Sequence, residues 1–426
     1  MIHKRILFSG VLALLFVSKT ANFSLASEAS TPLTVSAAVA AALERNPEIA
    51  RLRHRLNGME SRAKQAPYLE DPEIVFQLGG IPFSNPAAFN QADTNMIGIR
   101  QKLPFLGKLG LKEKIAQQEA KVTEQELRAK EREIVAATKT VYAELFMAQR
   151  AVEILREQLD ILSTVIRATE ARYQVGKVTQ QDVIKALLEQ SEIMNQQIMA
   201  EADAKLAEVK LNSIMSRPPQ TAIQLPADLP LPTAPLADSG LSDLALANRP
   251  ELKGADQEIE RNEKLYELAE RNRKYPDFMI GWDYWRMPTE IKKDRYAAMV
   301  NITIPFSPWT IGKRNHEVEE TLAEIRTAKA NREAMRNLAL KEVGESQAKL
   351  QAARRSLELF REGILSQAEL SFRSSLAAYQ AGRVEFVTLL EAQRTLREAR
   401  MGYFKTLVST VQNLADLERA VGSDLP

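Results

Sequence analysis

Hydrophobic positions in this chain recur at two periods, and both periods appear in each half. Ile74, Phe76 and Leu78 alternate with Glu73, Gln77 and Gly79, and Ile97, Ile99 and Leu103 alternate with Gly98, Arg100 and Lys102. Period two marks a strand with one apolar face. These two strands, 73–79 and 94–103, flank a loop rich in Gly, Pro, Asn and Ala. The second half repeats the pattern. Phe278, Ile280, Trp282 and Tyr284 alternate with Gly281 and Asp283, then Ala298, Val300, Ile302 and Ile304 with Asn301 and Thr303. Elsewhere the period is helical. Val152, Leu155, Leu159, Leu162 and Ile166 follow a 3, 4, 3, 4 spacing, which is a coiled-coil seam. That seam lies in a run without breakers from Gly107 or Lys108 to Tyr173. At 1.5 Å per residue it predicts a helix about 100 Å long. A second uninterrupted helix is expected from Gly312 to Tyr379.

Each half therefore reads helix, strand, loop, strand, very long helix, tight turn, helix. The first helix is expected from Thr34 to Gln65 with a stop or kink at Asn46-Pro47, because proline removes a donor and clashes with the preceding turn. Asp71-Pro72 then ends it. Both long helices finish in Y-Q-x-G: Tyr173-Gln174-Val175-Gly176 and Tyr379-Gln380-Ala381-Gly382. Glycine just past a helix supplies the left-handed residue that terminates it. New helices are expected at Thr179–Arg217 and Glu385–Val421, so each half carries an antiparallel helical hairpin whose tip is remote from the strands.

The halves match in order. Asn46-Pro47-Glu48-Ile49 returns as Arg249-Pro250-Glu251-Leu252. Leu103-Pro104-Phe105 and Gly107-Lys108 return as Ile304-Pro305-Phe306 and Gly312-Lys313. All pairs lie roughly 201 to 206 residues apart, an internal duplication. The expected organisation is a leader (1–26), a first repeat (27–216), a Pro-rich linker (217–240) and a second repeat (241–426). The linker's prolines suit an extended connection rather than a helix or a central strand.

Composition narrows the function. Lys4-Arg5, the apolar run Ile6–Val17 and Ser24-Leu25-Ala26 read as an export signal. No other segment approaches the ~20 apolar residues of a membrane helix. The chain has no cysteine, which excludes disulfides, thiolate metal sites and a lipid anchor on cysteine. Apart from His3, only His54 and His316 remain, each isolated, so no metal site or cofactor is expected. A net charge of +2 without a basic block gives no sign of nucleic-acid binding. No Ser/His/Asp set or phosphate-cradling loop points to an enzyme.

Strands of 8 to 11 residues with one apolar face suit a tilted crossing of a bilayer. Four strands alone would leave unpaired edges in lipid, so they must close with strands of other copies. The protein expected is mainly α, internally duplicated, with long coiled-coil helices and a transmembrane β-barrel portion. The alternative is a periplasmic coiled-coil adaptor or scaffold whose sheets never enter lipid.

The repeated segments N-P-E-I, Q-K-L-P-F-L-G-K (101–108), Y-Q-V-G-K-V-T-Q-Q-D-V (173–183) and Y-Q-A-G-R-V-E-F-V-T-L-L-E-A-Q (379–393) resemble the TolC-type outer-membrane efflux protein family across essentially the whole mature chain. L-P-F-L-G-K is most similar to the branch serving cation and heavy-metal efflux. The resemblance implies a homotrimer with a twelve-stranded barrel in the outer membrane and a helical barrel in the periplasm. It implies end-on docking to a periplasmic adaptor, through it an inner-membrane pump, and passive passage without catalysis. It places Tyr173, Gly176, Tyr379 and Gly382 at the adaptor-docking tips. It places a candidate aperture at Thr388 and Glu391, six and nine positions after the second-half glycine; the first-half equivalents are Asp182 and Lys185. Family members often carry acids at both second-half positions, and here only Glu391 is acidic. A ring of Glu391 carboxylates would attract cations.

Overall fold

The computed structural model describes residues 32–425, apart from 82, 88, 90–91, 231–239 and 288–293. The expected leader lies outside the described residues. Helices α1 (Val35–Arg45) and α2 (Pro47–Gln65) precede strands β1 (Glu73–Gly79) and β2 (Thr94–Leu103), then α3 (Lys108–Gln174) and α4 (Gln180–Ile214). The second repeat gives α5 (Leu241–Asn248), α6 (Pro250–Lys274), β3 (Phe278–Arg286), β4 (Asp294–Ile302), α7 (Ile311–Leu359), α8 (Leu365–Gln380) and α9 (Phe386–Val421).

Asn46-Pro47 divides two helices rather than bending one. The Asn46 side chain accepts the Glu48 N–H at 2.9 Å, and Pro47 occupies the first helical position, where its missing N–H costs nothing. The second long helix departs from expectation. It is not continuous from Gly312 to Tyr379: a wide π turn, Phe360–Ile364, separates α7 from α8. There the Phe360 ring lies on the backbone of α9 at Gly402, where a Cβ would stand 2.7 Å from the ring. Strand β4 ends at Ile302 rather than Ile304, and Pro305 follows without an N–H to extend the ladder.

The four strands form one antiparallel sheet in the order β1-β2-β3-β4. Its register stacks Ile74, Ile99, Trp282 and Ala298 in one row across the sheet, and Phe76, Ile97, Tyr284 and Tyr296 in the next. Most of these side chains are exposed, so an apolar face covers all four strands. The opposite face places Asp283 across from Gly98 and Arg100 across from Gly281. Each glycine makes room for the charge on the neighbouring strand. A Cβ at Gly98 would stand 2.0 Å from the Asp283 carboxylate, and one at Gly281 would stand 3.3 Å from Arg100 Cγ. Strands β1 and β4 are both open edges.

Among the described residues the helices bury three separate clusters. Ala38, Ile49 and Leu52 pack on Tyr142, Leu145 and Leu211 in the first. Leu155, Leu162, Ile193, Phe372, Tyr379, Phe386 and Leu389 form the second, nearer the tips, while Val343, Leu350, Leu414 and Leu417 form a third. On α4, Ala186, Ile193, Ala200 and Ala207 are buried at seven-residue intervals, the seam against α3. The described part of the linker does more than connect. Ile223 and Leu229 enter the first cluster, the Gln224 carbonyl accepts the Leu33 N–H at 2.8 Å, and the buried Asn212 side chain donates to the Thr221 carbonyl at 2.7 Å.

Candidate functional site: paired helical tips and the charges above them

The two Y-Q-x-G turns close with the same hydrogen bonds. Gly176 N–H donates to the Tyr173 carbonyl at 2.9 Å and Lys177 N–H to the Arg172 carbonyl at 2.9 Å. Gly382 N–H donates to the Tyr379 carbonyl at 3.0 Å and Arg383 N–H to the Ala378 carbonyl at 2.9 Å. Both are Schellman turns, with φ of 73° at Gly176 and 74° at Gly382. A side chain at either glycine strains the backbone.

The tyrosines before them are not equivalent. Tyr173 is 45% exposed, whereas Tyr379 is 3% exposed. The Tyr379 hydroxyl shares a hydrogen bond with Thr169 at 3.0 Å, its ring centroid lies 6.0 Å from that of Phe386, and the Arg172 guanidinium sits 4.6 Å above it. Arg172 also donates to the Gln380 carbonyl at 3.0 Å. One arginine of the first tip thus clamps the second tip's turn, and the two tips form one unit. Tyr379 serves inside that unit, while Tyr173 and Val175 face outward. A cleft of about 690 Å³ lies between the tips, lined by Arg172, Lys177, Lys185 and Arg383 against Asp182 and Glu385.

Of the aperture candidates, Thr388 and Glu391 stand exposed on one side of α9, with Leu389, Leu390 and Gln393 buried on the other. Asp182 is held differently. Its carboxylate accepts the Thr179 N–H at 3.1 Å and the Thr179 hydroxyl at 2.9 Å, which caps α4. His316 is exposed and bonds Glu319 at 3.0 Å.

A charge cluster just above the tips was not anticipated from the sequence. Glu189 on α4 is 1% exposed. It accepts from Arg394 Nε at 2.8 Å and from Arg397 at 2.9 Å, both on α9. Burial pushes its carboxyl up, but the two guanidiniums outweigh burial and hold it below the ordinary carboxylate value. Nearby, buried Gln393 on α9 donates to buried Gln158 on α3 at 3.2 Å. The available signal was an acid three residues after Ala186, at a seam position of the heptad that buries Ala186 and Ile193.

A sheet with two open edges and one apolar face, set on helical hairpins about 100 Å long, is one sector of a larger tube rather than a closed domain. Comparison with known proteins agrees. The profile of the family described as outer membrane efflux protein matches residues 38–217 and 241–423. The chain belongs to that family. Among its relatives is the cobalt-zinc-cadmium resistance protein CzcC of Cupriavidus metallidurans, 23% identical over 397 residues, 93% of this chain and 91% of the relative. The fold matches the outer-membrane channel OprN with a TM-score of 0.78 at 16% identity, covering 91% of this chain and 90% of that one. It matches CusC with a TM-score of 0.77 at 15% identity, covering 92% and 93%, and the Campylobacter jejuni CmeC outer membrane channel with 0.78 at 14%, covering 98% and 94%.

The protein is therefore an outer-membrane efflux channel with a long periplasmic helical portion, and the adaptor or scaffold alternative is set aside. The family is one of channels rather than enzymes. Among the described residues no helix is long and apolar enough to cross a membrane; the sheet is the element built to do so.

Proposed function

We propose that three copies of this chain close their sheets into a twelve-stranded barrel in the outer membrane and their hairpins into a periplasmic tube. Substrate delivered by an inner-membrane pump and a periplasmic adaptor crosses it passively. The observation that carries this reading is the sheet: four strands with a continuous apolar face and both edges open. In lipid an open edge leaves backbone N–H and C=O groups unpaired, so such a sheet is stable only when closed. The joined tips are the end that meets the adaptor. Gly176, Gly382 and the exposed Tyr173 form its surface, and Tyr379, through Thr169 and Arg172, ties the two turns together. Thr388, Glu391 and Asp182 lie within a few turns of that end and are the residues proposed to narrow the lumen there. With three Glu391 carboxylates around one axis, the narrowing favours cations.

The proposed cargo is heavy-metal cations, a reading supported by the relative named for cobalt, zinc and cadmium resistance. The test is deletion of the gene in its host, followed by growth in graded cobalt, zinc, cadmium, copper and silver. Sensitivity to metals restored by the intact gene is the expected result. Unchanged metal tolerance with new sensitivity to organic toxicants refutes the cargo while leaving the duct.

A further inference from the structure

A duplicated chain should contain each strand-to-helix junction twice, and here one copy is complete while the other lacks half its parts. The complete junction joins β2 to β3. Buried Lys108, the first residue of α3, donates to the Asp277 carboxylate at 2.9 Å and to the Tyr275 carbonyl at 3.0 Å. The Phe105 N–H donates to the same Asp277 oxygen at 2.9 Å. A carboxylate at the foot of β3 thus holds the turn that follows β2. In the resulting register Leu103 stands opposite Phe278.

The sequence supplies the twin of the turn: Ile304-Pro305-Phe306 and Gly312-Lys313. The hairpin registers locate the twin of Asp277. In the second hairpin Phe278 faces Ile302, and the Thr303 N–H donates to the Asp277 carbonyl at 2.9 Å. Asp277 therefore stands opposite the residue just before Ile304. In the first hairpin Glu73 faces Arg100. Carried two residues further, Asp71 stands opposite Lys102, the residue just before Leu103. Asp71 thus occupies the place of Asp277.

Asp71 is exposed, and neither it nor the Phe306 N–H has a partner among the described residues. Lys313 reaches only Glu317, at 3.9 Å. Asp71 leads into β1 and Phe306 follows β4, the two opposite edges of the sheet. Within one protomer the two cannot meet.

We propose that Asp71 of one protomer receives the Phe306 N–H of its neighbour and faces that neighbour's Lys313, and that this contact sets the register in which β4 pairs with β1 of the next copy. The inference rests on the closed-barrel reading above and adds the residues that join one copy to the next. Transferring the internal register places Ile304 opposite Pro72, Ile302 opposite Ile74, Val300 opposite Phe76 and Ala298 opposite Leu78. These last six side chains belong to the outward apolar sets of their strands, so the apolar surface continues across the boundary. A slip of one residue would instead set Glu73 and Gln77 among them. Pro72 falls at the start of its strand, where a missing N–H is tolerated. The second turn is longer: five residues separate Phe306 from Gly312, where one separates Phe105 from Gly107. Lys313 consequently sits inside the first turn of α7 and reaches the boundary by its flexible stem.

The absence of cysteine makes the register directly readable. In the full-length protein in outer membranes, Leu78→Cys is combined with Ala298→Cys, with Tyr296→Cys or with Val300→Cys, all three within β4, and each double variant is mildly oxidised. A disulfide requires Cα atoms within about 7 Å, which a directly opposite pair satisfies and a pair displaced by two residues, about 7–8 Å apart, does not. The expected result is a covalent dimer and trimer ladder for 298 with 78, and its loss in the other two combinations. Adding Asp71→Ala to the 298/78 pair should weaken that ladder. A ladder strongest with 296 or 300 overturns the register. A trimer by mass with no ladder in any combination overturns the β4–β1 junction. A chain that forms no trimer overturns the closed-barrel reading itself, a separate outcome.

Discussion

Replacing Glu189 by alanine removes the carboxylate that neutralises Arg397 and Arg394. Glu189 is 1% exposed and the Arg397 side chain 11%, so the loss leaves a guanidinium mostly out of water without a counter-charge. Breaking a buried pair from one side costs about 3–5 kcal/mol. Arg394 is 44% exposed and regains water, so the lower end, about 3 kcal/mol, applies. Because α4 packs along α3 and meets α9 at few other points, the cost falls on the local closing of α9 against α4. At 1.4 kcal/mol per factor of ten, it corresponds to about 100-fold faster opening. Hydrogen exchange of the amides around 386–400, measured in the detergent-solubilised protein, reads that opening. Glu189→Gln should act in the same direction, since it keeps the volume but not the charge. Exchange unchanged in both variants would show that the two arginines find other partners and that the cluster does not fasten the tip.

The same cluster makes the tip acid-sensitive. Its carboxyl titrates below the ordinary value of 4.5 in the folded protein. Its contribution is therefore complete above that value and lost as pH falls through the lower folded value. Tip exchange should accelerate in that acid window in the wild type and not in Glu189→Gln, and equal acceleration in both would contradict the assignment. Gly176→Ala meets no neighbour within 4 Å, so it should cost only the left-handed backbone strain, about 1 kcal/mol. Gly176→Arg and Gly382→Arg should abolish efflux with the trimer still in the membrane, scored by blue-native gel beside a cargo-sensitivity assay; normal efflux would count against docking at the tips. Tyr379→Phe loses the bond to Thr169 and should lower tip stability by about 1 kcal/mol, read by the same exchange measurement. Gly98→Val places branched carbons where Asp283 lies and should reduce assembled protein in membranes, whereas Gly110→Ala, with open space around it, should not.

Much of this fold was legible in the sequence because its signals are long. An unbroken helical run that becomes the 67 residues of α3, with a coiled-coil seam at 152–166, leaves little room for another reading, and strict alternation located all four strands and the apolar side chains they share. Contacts between distant segments left no local trace. At the π turn Phe360–Ile364, Phe360 meets Gly402 of α9, and no rule within either helix announces that meeting. Duplication made Tyr173 and Tyr379 look alike, yet only Tyr379 is covered, because Arg172 of the first repeat folds over the second repeat's turn. Lys108 and Lys313 share a motif, but only Lys108 finds its carboxylate within the protomer. For these two pairs the repeat gave the position, and the pairing of the halves gave the role.

The central claim is that this chain forms one third of a closed duct, and the most direct measurement is the mass and shape of the particle extracted from outer membranes in mild detergent. The account predicts three copies in an elongated particle about 130–140 Å long, the helix rise plus a bilayer-spanning barrel. A monomer or dimer recovered from the soluble periplasmic fraction would contradict it.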